Sequence, residues 1–150
     1  MQQEFIRDHT QRLLYSFHHW TGKCLLTQDG DQDAIAQALF EAPFVVISHG
    51  TEADPILNYG NQQALQLWQM EWEQFIQTPS RLTAEPMEQA ERDRLLQQAR
   101  TNGFINNYQG IRISSTGQRF SIHNVILWDV LDENGTRSGQ AATFADWTFL

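Results

Sequence analysis

The side chains most able to do chemistry fall on a short turn near the middle of the chain. Ser48-His49-Gly50-Thr51-Glu52-Ala53-Asp54-Pro55 sets an imidazole and two carboxylates within six residues. Arg81 follows in Pro79-Ser80-Arg81-Leu82-Thr83. An imidazole beside carboxylates can move a proton or hold a cation. A guanidinium can grip a carboxylate or phosphate through two N–H groups. The same residues equally suit a local role: Asp54 and Thr51 can close the turn through side-chain-to-backbone hydrogen bonds, and Arg81 can pair with Glu52, Asp54 or Glu85. The spacing is not the helical His-Glu-x-x-His pattern of zinc hydrolases. Neither a P-loop nor a GxGxxG segment occurs. His18 and His19 are adjacent on a helical stretch and point about 100° apart, which makes a poor chelating pair. Cys24 has no nearby His in a catalytic arrangement, so a reactive thiol is not expected.

The elements that must position these residues follow from periodicity. Residues 3–19 read as an amphipathic helix, with Phe5, Ile6, His9, Leu13, Leu14, Phe17 and Trp20 recurring at helical steps, and Thr21-Gly22 stops it. A shorter helix is expected over 33–41. Residues 44–48 and 56–59 read as short strands flanking the turn. Asn61 is a fitting N-cap for a helix over 62–69. A further short helix is expected over 71–77, an ordered loop over 81–86 and a helix over 87–101. The last third reads as strands over 104–113, 118–131 and 138–149. On the middle one, Phe120, Ile122, Ile126, Trp128 and Val130 are expected to share a face with Asn124. Asn134-Gly135 is a hairpin signal. Strands at both ends of a helical insert imply an α+β antiparallel sheet with helices on one face, preceded by N-terminal helices.

Composition narrows the function classes. The 150 residues are 41% hydrophobic and 19% charged, with five Trp and nine Phe, as expected of one domain with a real core. The net charge is −8 and the only lysine is Lys23. Without a basic cluster, neither nucleic acid nor an anionic membrane is an expected partner. No apolar run is long enough to span a bilayer. A single cysteine and the absence of a leader point to the cytoplasm.

The segments Ala42–Trp68, Trp72-Glu73, Pro79–Thr83, Gly110–Ser115 and the closing Gly139-Gln140-Ala141-Ala142-Thr143-Phe144-Ala145-Asp146-Trp147-Thr148-Phe149-Leu150 resemble the stand-alone bacterial and cyanobacterial form of the MEKHLA domain, a PAS-like family. The resemblance covers at least residues 35–150. It implies a helical extension over 1–41 and a PAS-like core over 42–150, forming one structural unit. It also implies a sensory or binding module, with a small-molecule ligand, a homodimer or a protein partner as the alternatives. Haem is disfavoured because 87–101 contains no His. A cysteine-adduct flavin is disfavoured because Cys24 lies outside the core. The cofactor is otherwise unknown. Tyr59, Trp68, Arg81, Asn124, Trp128 and Phe144 are the residues expected to line a pocket. An alternative is a small enzyme on the same scaffold, with His49, Glu52, Asp54 and Arg81 as its centre. A third is an interaction module with a filled core.

Overall fold

The computed structural model describes residues 3–150. Five strands form an antiparallel sheet in the order β2 (Leu57–Gly60), β1 (Val45–His49), β5 (Arg137–Phe144), β4 (Arg119–Leu131), β3 (Phe104–Ile113). A sixth strand, β6 (Asp146–Phe149), pairs with the first part of β4 and continues the line of β5. The expected single strand over 138–149 is therefore two, interrupted at Ala145.

Helices cover both faces. On one face lie α3 (Gln62–Trp68), α4 (Trp72–Phe75), a 3-10 turn (Ser80–Thr83) and α5 (Pro86–Asn102). Their core contains Trp68, Phe75, Leu95, Phe120, Ile122, Val125 and Leu127. On the other lie α1 (Gln3–Thr21) and α2 (Gln32–Phe40), over Val46, Tyr59, Trp128 and Val130. The expected α+β arrangement holds, with the α3–α5 helices on one face of the sheet and the N-terminal helices preceding them. The N-terminal helices close the opposite face, because Ile6, Leu13 and Phe17 need apolar partners and find them on β4.

Asn124 accounts for a second difference from expectation. Its φ of 55° is left-handed, a conformation Asn tolerates better than most residues. The extra residue resets the alternation of β4, as a bulge does. Before it, Phe120 and Ile122 face the α3–α5 core; after it, Val125 and Leu127 do. Ile126, Trp128 and Val130 turn to the α1 side instead. The bulge sits level with the break between β5 and β6, since β6 pairs with 120–123 and β5 with 126–131. The Asn124 amide donates across that break to Asp146 at 3.0 Å.

Two side chains fix how the elements meet. Asn61 caps α3 as expected: its Oδ1 accepts from Ala64 N and from Val46 N, and its Nδ2 donates to the Leu39 and Phe44 carbonyls. One buried amide thus joins α2, β1 and α3. Trp20, in the last turn of α1, donates to the Asp129 carbonyl at 2.9 Å. Its ring lies over Gly103 at the end of α5, where a Cβ would come within 2.3 Å of it.

Candidate functional site

Between the sheet and α5 lies a small, partly open cavity of about 30 Å³, room for about two waters. Its walls are apolar around Trp68, Ile122, Leu127 and Phe144, and polar on the side built by β1, the 3-10 turn, α5 and β3. A larger groove of about 420 Å³ between α1 and the β4–β5 turn is open to solvent, and Arg12 and Glu133 on its walls already pair at 2.8 Å.

The polar wall is arranged around two arginines. Arg92 shares one face of α5 with Leu95 and Ala99, at helical steps of three and seven, so its side chain enters the core with theirs. It is 8% exposed and donates to the Ser80 hydroxyl. Its nearest carboxylate, the exposed Asp93, stands 3.5 Å away. Burial, reinforced by the charge of Arg112, pulls the Arg92 pKa down from 12.5 to about 10, so it remains cationic at neutral pH. Arg112 is 5% exposed. Its guanidinium folds back along β3 over Gly110, where a Cβ would come within 2.9 Å of Nη1. It donates to the Tyr108 hydroxyl at 3.1 Å and to the Ile111 carbonyl at 2.7 Å.

His49 closes the wall from β1. Its Nδ1 donates to the Gly50 carbonyl at 2.9 Å, which leaves Nε2 buried with a lone pair and no partner. Burial lowers its pKa to about 4; Arg92 and Arg137 lower it too, while the Gly50 carbonyl and Glu52 oppose them. Gln140 reaches from β5 to the Leu96 carbonyl at 2.9 Å. The buried Asp129 is bonded to Arg137 at 3.3 Å and does not line the cavity; burial raises its pKa against that partner.

The residues singled out from sequence divide between this cavity and other places. Trp68 and Phe144 are in its wall. Tyr59 and Trp128 lie on the α1 side of the sheet, against His9 and Phe17 with ring centroids 5.7 and 5.0 Å apart. Trp128 is there because of the bulge. Asn124 is exposed beside Asp146. Arg81 is exposed and bonds both oxygens of Asp54 at 3.3 Å. Glu52, also exposed, accepts from Ile56 N at 3.1 Å. His49, Glu52, Asp54 and Arg81 therefore do not converge: the imidazole is inside, and the two carboxylates and Arg81 organise the turn. Arg92, Arg112, Tyr108 and Gln140 were missed. Their signal was present: an arginine on the apolar stripe of a helix, and another in an alternating strand, each at a position that points inward.

Among the described residues, no helix is long and apolar enough to cross a membrane. The arrangement has relatives. A PAS domain of a Colwellia psychrerythraea protein superposes with a TM-score of 0.65 at 15% identity, covering 77% of this chain and 92% of that one. A light-oxygen-voltage domain studied with a flavin analogue gives 0.60 at 13% identity, over 77% of this chain and 84% of that one. An RNA-binding light-oxygen-voltage receptor gives 0.62 at 15% identity over 73% of this chain, which spans 31% of that receptor. These likenesses establish a PAS-type fold. No curated protein matches the chain. The MEKHLA domain family model matches residues 7–149, taking in α1 and α2 as well as the sheet. The chain belongs to the MEKHLA domain family and carries its sequence on a PAS-type fold.

Proposed function

We propose that this protein is a sensory module that binds a small molecule between the sheet and α5. The observation that carries the reading is the cavity between sheet and α5, apolar on one side with convergent polar groups on the other, the usual character of a small-molecule site. The PAS-type fold of its relatives agrees with it. The cavity is small, so a ligand enters as Leu96 and the two arginines shift, and that movement passes to α5 and β3. The apolar stripe of α1 packs on the chain's own sheet, and the reading needs no second copy of the protein.

Native mass spectrometry of the protein purified from its own host is the test. A non-covalent mass increment that disappears on denaturation is the expected result. A clean apo mass, together with no saturable stabilisation by any compound of a metabolite library, would overturn the reading.

A further inference from the structure

We infer that the ligand of this cavity carries an oxyanion, a carboxylate or a phosphate group, held between Arg92 and Arg112. The inference rests on the small-molecule reading above and names its ligand class.

Two guanidinium groups are at least nine-tenths buried in one wall, close enough for the charge of Arg112 to act on Arg92. Among the described residues lining the cavity there is no aspartate or glutamate. Buried arginines are ordinarily accompanied by a carboxylate, because an uncompensated charge in the interior is costly. Here the accompanying groups are neutral: the Ser80 hydroxyl, the Tyr108 hydroxyl and the Ile111 carbonyl. The two acids whose charge reaches Arg92 both lie on the surface: the Asp93 side chain is 69% exposed, and Asp54 is exposed and already paired with Arg81. The wall thus has excess positive charge in an otherwise acidic protein of net charge −8.

The donors also suit an oxyanion. Guanidinium N–H groups match the two oxygens of a carboxylate or the edge of a phosphate. The Tyr108 and Ser80 hydroxyls accept from the arginines, which frees their own hydrogens for an acceptor in the cavity. Gly110 is part of the device. A side chain there would meet the Arg112 guanidinium and displace it from the fold-back position that keeps it in the wall. The apolar remainder around Trp68 and Phe144 fits a short carbon chain better than a large polar group.

The test is thermal unfolding of the whole chain, with acetate, succinate, inorganic phosphate and sulfate as probes and acetamide as the neutral isostere of acetate, all at constant ionic strength. Saturable stabilisation by at least one oxyanion, and none by acetamide, is expected. Response to acetate or succinate identifies a carboxylate site; response to phosphate or sulfate alone identifies a phosphate site. Arg112→Met should weaken the responding probe by about tenfold to hundredfold. The same substitution should leave the unliganded protein as stable as before or more so, since it removes one of two like charges from the interior. If Arg112→Met does not fold, Tyr108→Phe, which frees Arg112 and keeps the packing, serves instead and should weaken the probe in the same direction. A variant that loses apo stability yet keeps the full oxyanion response would make Arg112 structural and overturn the inference. So would a bound neutral molecule in the native mass spectrum with no oxyanion response, and that outcome leaves the small-molecule reading standing. No bound mass and no response to any probe would remove both.

Discussion

Two histidines are buried in the folded protein and neutral there. His9, on α1, is held against the Ser48 hydroxyl at 2.8 Å, and Ser48 in turn donates to Asn58 at 2.5 Å. That chain gives His9 its proton on Nε2. Burial lowers the pKa of His9 from 6.5 to about 4, with Arg12 adding to the effect, and His49 falls equally far. In the unfolded chain both rings take up protons near their ordinary value. Between about pH 6.5 and 4 the unfolded state therefore binds more protons than the folded one, and stability declines as pH falls through that window. Above it the contribution is fully present. Each histidine accounts for about 3 kcal/mol if the whole shift acts on folding. Urea unfolding across this range should give a midpoint that drops steadily with acidification. His9→Gln, which keeps a donor near Ser48 but does not titrate, should make that drop shallower. An unchanged slope in the variant would show that His9 is charged or solvated in the folded chain.

The junction of α5 and β3 is clamped by α1. Gly103 has a φ of 86° and lies under the Trp20 ring. Gly103→Ala adds both a conformational penalty and a steric one, so a loss of about 2–4 kcal/mol is expected. It would be read as a lower urea midpoint with an unchanged denaturant slope. Trp20→Ala has a cost of its own, since it loses packing and the bond to Asp129, but in that background Gly103→Ala should cost less than in the parent chain. An equal cost in both backgrounds would mean that the ring is not what excludes a side chain at 103. At this scale the sequence was readable where a signal is repeated along an element. The strands β1 to β4, the extent of α5 and the cap at Asn61 all follow from periodicity and local chemistry. The resets were not. One residue out of alternation at Asn124 reverses the faces of everything after it, and a period-two pattern has no term for that. Ala145 breaks the last strand for the matching reason. Arg92 escaped notice because an arginine on a helix is ordinarily solvated, and α5 is mostly polar around it. Only its phase with Leu95 and Ala99 marks it as inward. Trp68 and Phe144 were legible because large aromatics between helices and sheet seldom have anywhere else to go.

Taken whole, the molecule has three layers, with the sheet as a wall shared by α1 and α2 on one side and the cavity on the other. β1 serves both at once: Ser48 bonds His9 on the α1 side, and His49 faces the cavity. A chain lacking residues 1–21 would uncover Val46, Trp128 and Val130, a contiguous apolar surface larger than soluble monomers usually expose. Such a chain should bind a hydrophobic dye strongly and unfold without a sharp transition. A truncated chain that still unfolds cooperatively with no dye binding would mean that α1 is an accessory rather than a layer of the fold. The charge distribution belongs to this scale too. With Arg92 and Arg112 inside, the exterior is more acidic than the net charge of −8 indicates. An anion must approach against that field, and added salt should speed its arrival.

Trp68 gives the cavity a property of a different kind. Its indole N–H is buried without a partner, and its ring is wedged edge-on against Phe120 with centroids 5.2 Å apart. An indole so fully buried emits at short wavelength. A guest that accepted its N–H, or brought water with it, would move that emission toward the red. With the other four tryptophans replaced by phenylalanine where the fold permits, the chain would become a single-emitter optical gauge of its own occupancy, readable without a label.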